Sequence, residues 1–437
     1  MILNKIIDSY PGLFADPNQK LTYTTSVRAA IRTISDTPIY SKFYQYPMSL
    51  KDEVHKQISE LLHDGIIRPS RSPYNSPVWI VPKKLDSSGK KKYRVVIDYR
   101  KLNMVTVADR YPIPDINEVL AQLGDNKIFS VLDLKSGFHQ ILLKESDIEK
   151  TAFSINNGKY EFTRLPFGLK NAPSIFQRAL DGYSSRTYRV RYVSFILTTS
   201  SSFSKDDETH YQNLDTIFRT LQQANMKCQL DKCEFMKRKV EFLGFVVSDK
   251  GIETSPTKVQ AISDFPIPRT LKELRSFLGL SGYYRRFIPN YAKLAKPLSS
   301  LLRGEDGRIS RTLSSKKSVS LNREAIEAFK KLKSSLVSPD VILHYPDFKK
   351  EFHLTTDASN FAVGAVLSQE NRPISFLSRT LSKAEENYAT NEKEMLAIIW
   401  ALKKLKIYLY GKAKVKIFTD HQPLTHSLSS WNGNAED

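Results

Sequence analysis

The sequence predicts an α+β fold of more than one domain, ending in a separate α/β unit. Three observations carry this. A chain of 437 residues is too long for one core, so two to four domains are expected. Short apolar strand-like runs such as "NKIFSVLDL" alternate with helical-period segments such as "SLKDEVHKQISELLHDG". After a stretch rich in Ser, Arg, Lys and Gly between Leu302 and Leu321, strand, strand, helix and strand patterns follow in order.

Residues 1–45 are mixed and polar and read as a leader, or as the remnant of something upstream. "SLKDEVHKQISELLHDGIIRPS" predicts a helix stopped at Gly65, with Pro69 just beyond. "SPVWIVPKK" and "KYRVVIDYRKLN" predict strands joined by a Ser-Gly-Lys turn, and "NKIFSVLDL" another strand. "ESDIEKTAFSINNGKYEFTRL" reads as further strands about an Asn-Asn-Gly turn. "APSIFQRALDGY" and "ETHYQNLDTIFRTLQQANM" predict helices, "VEFLGFVVSDKG" a hairpin arm, and "TLKELRSFLGLSGYYRRFI" helix again. In the last part, "EFHLTTDASNFAVGAVLSQ" predicts two strands about a turn. "TNEKEMLAIIWALKKLKIYL" predicts an amphipathic helix, and "VKIFTDHQPL" a strand.

Hydrophobic content of 41% and aromatic content of 11% suit a globular protein, and no apolar run reaches the roughly 18 residues of a membrane span. The N-terminus has no signal-peptide pattern, so secretion is not expected. Cys228 and Cys233 lack a second ligand pair and read as reduced thiols of a cytosolic or nuclear protein. The formal net charge of +20 favours a polyanionic partner. "VPKK", "GKKKYR" and "YYRRFI" interleave basic with aromatic or strand residues, as nucleic-acid surfaces do.

Asp133 ends the apolar strand of "FSVLDLKSGFHQI", where a carboxylate offers Mg²⁺ a hard oxygen ligand. In "TRLPFGLKNAPSIFQRAL", Pro166, Gly168 and Pro173 fix an irregular backbone ahead of a helix whose N-terminus suits phosphates. "SPYNSPVWIVPKK", "YRVVIDYRKLN", "LDLKSGFHQI", "LPFGLKNAPSIFQ" and "VEFLGFVVSDKGI" follow in that order. Together they resemble the reverse transcriptase of Gypsy-type LTR retrotransposon pol polyproteins, from about Ser49 onward.

The resemblance implies a right-hand polymerase of fingers, palm and thumb or connection, followed by a truncated ribonuclease H-like domain. Its expected partition is fingers and palm over 46–248, thumb or connection helices over 249–301, a basic Ser-rich linker over 302–321, and the nuclease over 322–437. By resemblance Asp133 is the first palm metal ligand. Lys83 and Arg94 grip the phosphates of the incoming nucleotide, as a point charge and a planar fork suit. Phe138 is the gate beneath the sugar, Phe167 and Gly168 form the floor of the dNTP pocket, and Phe242, Leu243 and Gly244 belong to the primer grip. The implied cofactor is Mg²⁺, with Mn²⁺ able to replace it. The implied partners are an RNA template, a DNA primer, an RNA–DNA hybrid and dNTPs. The implied location is cytoplasmic, in a virus-like particle, or nuclear.

In-line phosphoryl transfer with two metals needs more carboxylates than Asp133. The family supplies two more as Tyr-x-Asp-Asp on a hairpin, where this chain reads "RYVSFILTTSSSFSKDD". Asp206 and Asp207 are not the dyad, because Ser204, Asp207 and Glu208 read as a capped helix start. Codons for Phe195 to Phe203, read with each last base joined to the next two, permit Tyr-Ile-Asp-Asp-Ile-Ile-Val-Phe. A local frameshift, entered near Gly182 and left near Phe203, accounts for the Ser/Thr run, which suits neither a loop nor a buried strand. The chain as it stands is expected to be dead or nearly dead as a polymerase.

In the last domain Asp357 and Asp420 sit at strand ends, and Glu394 shares a helical face with Ile398, Ala401 and Leu405. This trio resembles the metal cluster of the retroelement ribonuclease H, which cuts the RNA strand of a hybrid with two Mg²⁺. The family's fourth Asp lies beyond "SWNGNAED", so the nuclease is expected to be truncated. No Asp-Thr/Ser-Gly protease signature and no integrase are read, which suggests a pol fragment. The competing expectation is a non-catalytic nucleic-acid-binding remnant or domesticated protein.

Overall fold

The computed structural model describes residues 2–16, 19–82, 92–124, 126–156, 158–183, 193–196, 199–302, 317–337, 341–411, 414–421 and 424, with the backbone alone at 193–196 and 199–201. The chain forms two compact units, Met1–Asp115 with Asn126–Arg238, and Ile116–Asp125 with Lys239–Asp437.

The first unit is organised around a four-stranded antiparallel sheet in the order Glu234–Lys237, Ile128–Asp133, Thr199–Ser204, Val193–Ile196. Strand Ile128–Asp133 is nearly all apolar because it is central and covered by helices. Helix Ala172–Tyr183 buries Ile175, Phe176, Ala179 and Leu180, and helix Asp207–Gln223 buries Leu214, Ile217, Phe218 and Leu221. Strands Val78–Pro82 and Tyr93–Ile97 form the expected antiparallel pair. Helix Lys51–His63 ends before Gly65, whose φ of +63° favours glycine. The stretch read as a leader is part of this core, through Leu13, Leu21, Ala29 and Ile31 and through strand Thr24–Ala29 paired parallel to Ile141–Leu143.

Several local expectations are corrected. "RKLN" is not strand but the start of helix Arg100–Val105, because the Asp98 carboxylate accepts the Arg100 N–H at 3.1 Å and turns the chain. Glu145–Ile148 and Glu149–Thr151 are helical turns, and the hairpin begins only at Phe153–Ile155, paired with Gly158–Phe162. Asp206, not Ser204, caps helix Asp207–Gln223, accepting from the Thr209 N–H at 2.8 Å. The Ser/Thr run does form a strand, Thr199–Ser204.

The second unit begins with an antiparallel meander of Lys239–Phe242, Phe245–Ser248 and Gly251–Thr254. Helices Leu271–Tyr283, Tyr291–Ser300 and Arg323–Val337 follow. A capping box of Thr270 and Glu273 starts the first of them. A second sheet has the order Arg372–Thr380, Ala362–Gln369, Phe352–Ala358, Val415–Phe418, with the last pair parallel. Helix Thr390–Lys404 packs on it, burying Ala397, Ile398 and Ala401. "YYRRFI" is mostly interior here, since Tyr284, Arg286, Phe287 and Ile288 are buried. The linker segment 303–316 lies outside the described residues. No helix among the described residues is long and apolar enough to cross a membrane.

Candidate active sites of the two units

In the first unit, Asp133 ends its strand half-buried, with its side chain 27% exposed. Burial raises its pKa, and the Lys232 ammonium 3.6 Å away opposes that shift. Lys232 was not anticipated. It is remote in sequence and reaches Asp133 because the turn Leu230–Lys232 follows the Gln229 N–H bond to the Asp133 carbonyl. Thr199 stands directly opposite Asp133 in the ladder, and Ile196 opposite Thr199. Directly opposed positions of an antiparallel pair share a face of the sheet. The residue facing Asp133 in this register is Thr199, and it carries no carboxylate, while Leu197 and Thr198 lie outside the described residues. The charge of Asp231 also acts on Asp133 and pushes its pKa up, against Lys232.

Phe138, Phe167 and Gly168 are brought together beside this strand end. The rings of Phe138 and Phe167 lie 5.0 Å apart, and Phe138 also meets Phe176 edge-on at 5.3 Å. Gly168 has φ +92°, and its carbonyl accepts from the Asn103 amide at 2.8 Å, which fixes the irregular segment seen in the sequence. Arg94 is exposed on strand Tyr93–Ile97 opposite Val81, and Lys83 lies outside the described residues.

In the second unit, Phe242 is buried, and Leu243 and Gly244 make the turn of the meander with φ of +51° and +77°. The Tyr283 and Tyr284 hydroxyls donate to the Leu243 and Gly244 carbonyls, each at 2.6 Å. These two tyrosines brace the turn, a role that "YYRRFI" does not reveal as sequence.

The nuclease-like carboxylates occupy neighbouring strand ends. Thr355 pairs with Phe418 across the parallel strands, and Asp357 and Asp420 each lie two residues beyond that pair. Glu394 is 4% exposed, and its Oε1 accepts the Ala358 N–H at 3.1 Å. Its Oε2 is buried without a hydrogen-bond partner. Burial raises the Glu394 pKa, and the charges of Asp420 and Asp357 push it the same way. Among the described residues no three acidic, histidine or cysteine side chains close into a cage for a metal ion. The orphaned Oε2 with two like charges beside it is nevertheless a donor set that fits an added cation.

The fold is that of a polymerase-like unit followed by an RNase H-like unit, and comparison with known proteins supplies the family. The family model "Reverse transcriptase (RNA-dependent DNA polymerase)" matches residues 81–247, and "RNase H-like domain found in reverse transcriptase" matches residues 347–436. The retrovirus-related Pol polyprotein from the Drosophila melanogaster transposon opus is 53% identical over 440 residues, covering 100% of this chain and 44% of that protein. The one from transposon gypsy is 51% identical over 425 residues, covering 97% of this chain and 41% of that protein. The foamy viral protease-reverse transcriptase solved with an RNA/DNA hybrid shares the fold, with a TM-score of 0.81 at 23% identity, over 99% of this chain and 57% of that one. This chain belongs to the Pol polyproteins of gypsy-type retrotransposons, in their reverse transcriptase and RNase H region. It spans less than half the length of the curated relatives it matches.

Proposed function

We propose that this chain binds RNA–DNA hybrids and primed templates, retains the acidic set of an RNA-cleaving nuclease, and has lost metal-dependent DNA synthesis. The observation that carries the reading is the register of Thr199 against Asp133. Strands Val193–Ile196 and Thr199–Ser204 pair, and the sequence between Val193 and Ser204 contains no carboxylate. Buried Ser202 favours the frameshift account, because its hydroxyl has no hydrogen-bond partner, and the offset frame would place apolar residues along this strand.

In the nuclease-like site, Asp357, Glu394 and Asp420 would hold Mg²⁺, which when bound supplies an activated water and charge neutralisation at a phosphodiester. The Ala358 N–H orients Glu394 by holding one carboxylate oxygen, leaving the other directed at the cation position. In the first unit, the paired rings of Phe138 and Phe167 form an apolar wall suited to a deoxyribose, and exposed Arg94 offers a fork to a phosphate.

Two assays on the full chain test this reading. Labelled RNA–DNA hybrid should bind with an affinity that falls steeply with salt, and its RNA strand should be cut when Mg²⁺ is added. A chain that binds no hybrid at low salt would overturn the reading. Sequencing the transcript across the codons for Asp181 to Lys205 tests the origin of the lost dyad. An offset frame that does not spell Tyr-Ile-Asp-Asp would remove the frameshift account.

A further inference from the structure

The chain has two cysteines, and the first unit brings both to one side of strand Ile128–Asp133. Cys228 pairs with Leu134, just past the end of that strand. Glu234 pairs with Val131 in the same antiparallel sense, so Cys233, one residue earlier, comes to the level of Leu132. Leu132 and Leu134 are alternate residues of one extended segment and point to the same face, where both are buried in the core. Cys228 is buried in that core, and Cys233 packs against it.

The residues between the two cysteines are thrown out as a turn, Leu230–Lys232. The Lys232 N–H donates to the Gln229 carbonyl and the Cys233 N–H to the Leu230 carbonyl, each at 3.0 Å. The Gln229 N–H donates to the Asp133 carbonyl at 2.8 Å, which pins the start of the turn to the strand end. The Cys233 thiol donates to the Gln229 carbonyl at 3.2 Å, so its sulfur is folded back toward Cys228. The Cys228 thiol is a hydrogen-bond partner of that same sulfur. Alternate strand positions lie about 6.7 Å apart, near the upper limit of the Cα separation that a disulfide bridges. Thiols already in contact at that spacing need little backbone movement to join.

The two sulfurs differ in access. Cys228 is fully buried, whereas Cys233 is half-buried. An oxidant in solution meets Cys233 first and finds a second thiol held beside it. A cysteine kept only for packing needs no such neighbour.

We propose that Cys228 and Cys233 are an oxidisable dithiol, a modification site at which a peroxide closes a disulfide around Lys232. The Cys233 sulfur attacks the O–O bond of hydrogen peroxide and becomes a sulfenic acid, releasing one water. The Cys228 sulfur then attacks the Cys233 sulfur. The S–S bond forms, the S–O bond breaks, and the hydroxyl leaves with the Cys228 proton as a second water. Two electrons pass from the sulfur pair to the peroxide, and both thiol hydrogens end in water. The closed loop of six residues carries Lys232, whose ammonium lies 3.6 Å from Asp133, so oxidation stiffens the turn that holds this counter-ion. The proposal stands on the fold of the first unit and goes beyond the nucleic-acid reading above.

The test uses the full chain, in which no other thiol competes. Reduced protein is treated with a small molar excess of hydrogen peroxide, quenched with catalase, unfolded in N-ethylmaleimide and measured by intact mass spectrometry. The predicted product takes up no maleimide and is about 2 Da lighter than the reduced chain. It runs as a monomer without reductant and accepts maleimide at both cysteines again after dithiothreitol. Cys228→Ala, which keeps the buried position apolar, should stop at the sulfenic acid on Cys233 and take up dimedone. Cys233→Ala should leave Cys228 unreacted at the same peroxide dose. The result for the unsubstituted chain decides the linkage without either variant. A chain that keeps both thiols, that carries a sulfinic acid on Cys233 with Cys228 still free, or that links only between copies would overturn the proposal. Equal reactivity of the single thiols in the two variants would overturn the assigned order of attack.

Discussion

Asp133 and Glu394 are both carboxylates that the fold withdraws from water, and the protein treats them oppositely. Asp133 is given a cation, Lys232, beside the acid Asp231, and faces Thr199 in the ladder. Glu394 is given two further acids and one backbone N–H, and keeps an oxygen without a partner. An internal counter-ion offsets part of the cost of burying Asp133, whereas the acids around Glu394 add to its cost. On the reading proposed above, the first is a site whose metal demand has been lost and the second one whose demand persists.

The largest expected effect breaks the second half of the comparison. Glu394→Gln should lower cleavage of the RNA strand of a hybrid by on the order of 100-fold, measured as initial rate with Mg²⁺. The same variant should unfold at a higher temperature than the parent without metal at pH 7.5. The sign follows from the raised pKa. The stability associated with protonated Glu394 is full below the unfolded value and is lost as pH rises through the folded one. Equal melting temperatures at pH 7.5 would show that the charge is not buried at a cost.

The next effect sharpens it. Adding Mg²⁺ should raise the melting temperature of the parent by several degrees and leave that of Glu394→Gln almost unchanged, since binding to the folded state alone stabilises it by mass action. Asp133→Asn should leave the Mg²⁺-induced rise intact. If it abolishes the rise, the metal acts at the palm and the contrast fails.

Buried His210 carries a third expectation. Its ring nitrogens bond the Ser130 and Ser204 hydroxyls at 2.7 and 2.8 Å, and burial lowers its pKa from 6.5 to about 4. The unfolded chain therefore binds a proton that the folded chain refuses, and this histidine's contribution to stability is lost as pH falls from about 6.5 to about 4. His210→Asn should flatten the acid limb of a melting-temperature profile over that window. An unchanged limb would assign acid sensitivity to other groups.

The smallest effect concerns the replaced strand. Ser202→Val removes a buried hydroxyl without a partner and should stabilise the chain by about 1 kcal/mol in urea unfolding. Destabilisation would mean that the Ser/Thr strand is fitted to its surroundings and is not a misfit.

What the sequence disclosed follows from which interactions are local. The strand-end positions of Asp133, Asp357 and Asp420 are legible because each ends an apolar run, and the burial of Glu394 because it lies on an apolar helical face. Helix Ala172–Tyr183 has the bounds its pattern predicts. Lys232 beside Asp133 and the tyrosines bracing Leu243 and Gly244 are contacts across long separations, which periodicity does not encode. "RKLN" was misread because a single Asp98 turn outweighed the strand pattern around it. The Ser/Thr run is a strand because the sheet on either side of it imposes the ladder, although four of its six residues are serines.

The proposed loss of DNA synthesis rests on the paired strands Val193–Ile196 and Thr199–Ser204 carrying no carboxylate to join Asp133. The most direct measurement is primer extension by the full chain on an RNA template with a DNA primer, Mg²⁺ and all four deoxynucleotides, run beside Thr198→Asp/Thr199→Asp. No extension by the chain as it stands, with extension by the doubly substituted protein, is the predicted result. Nucleotide incorporation by the unsubstituted chain would contradict the account.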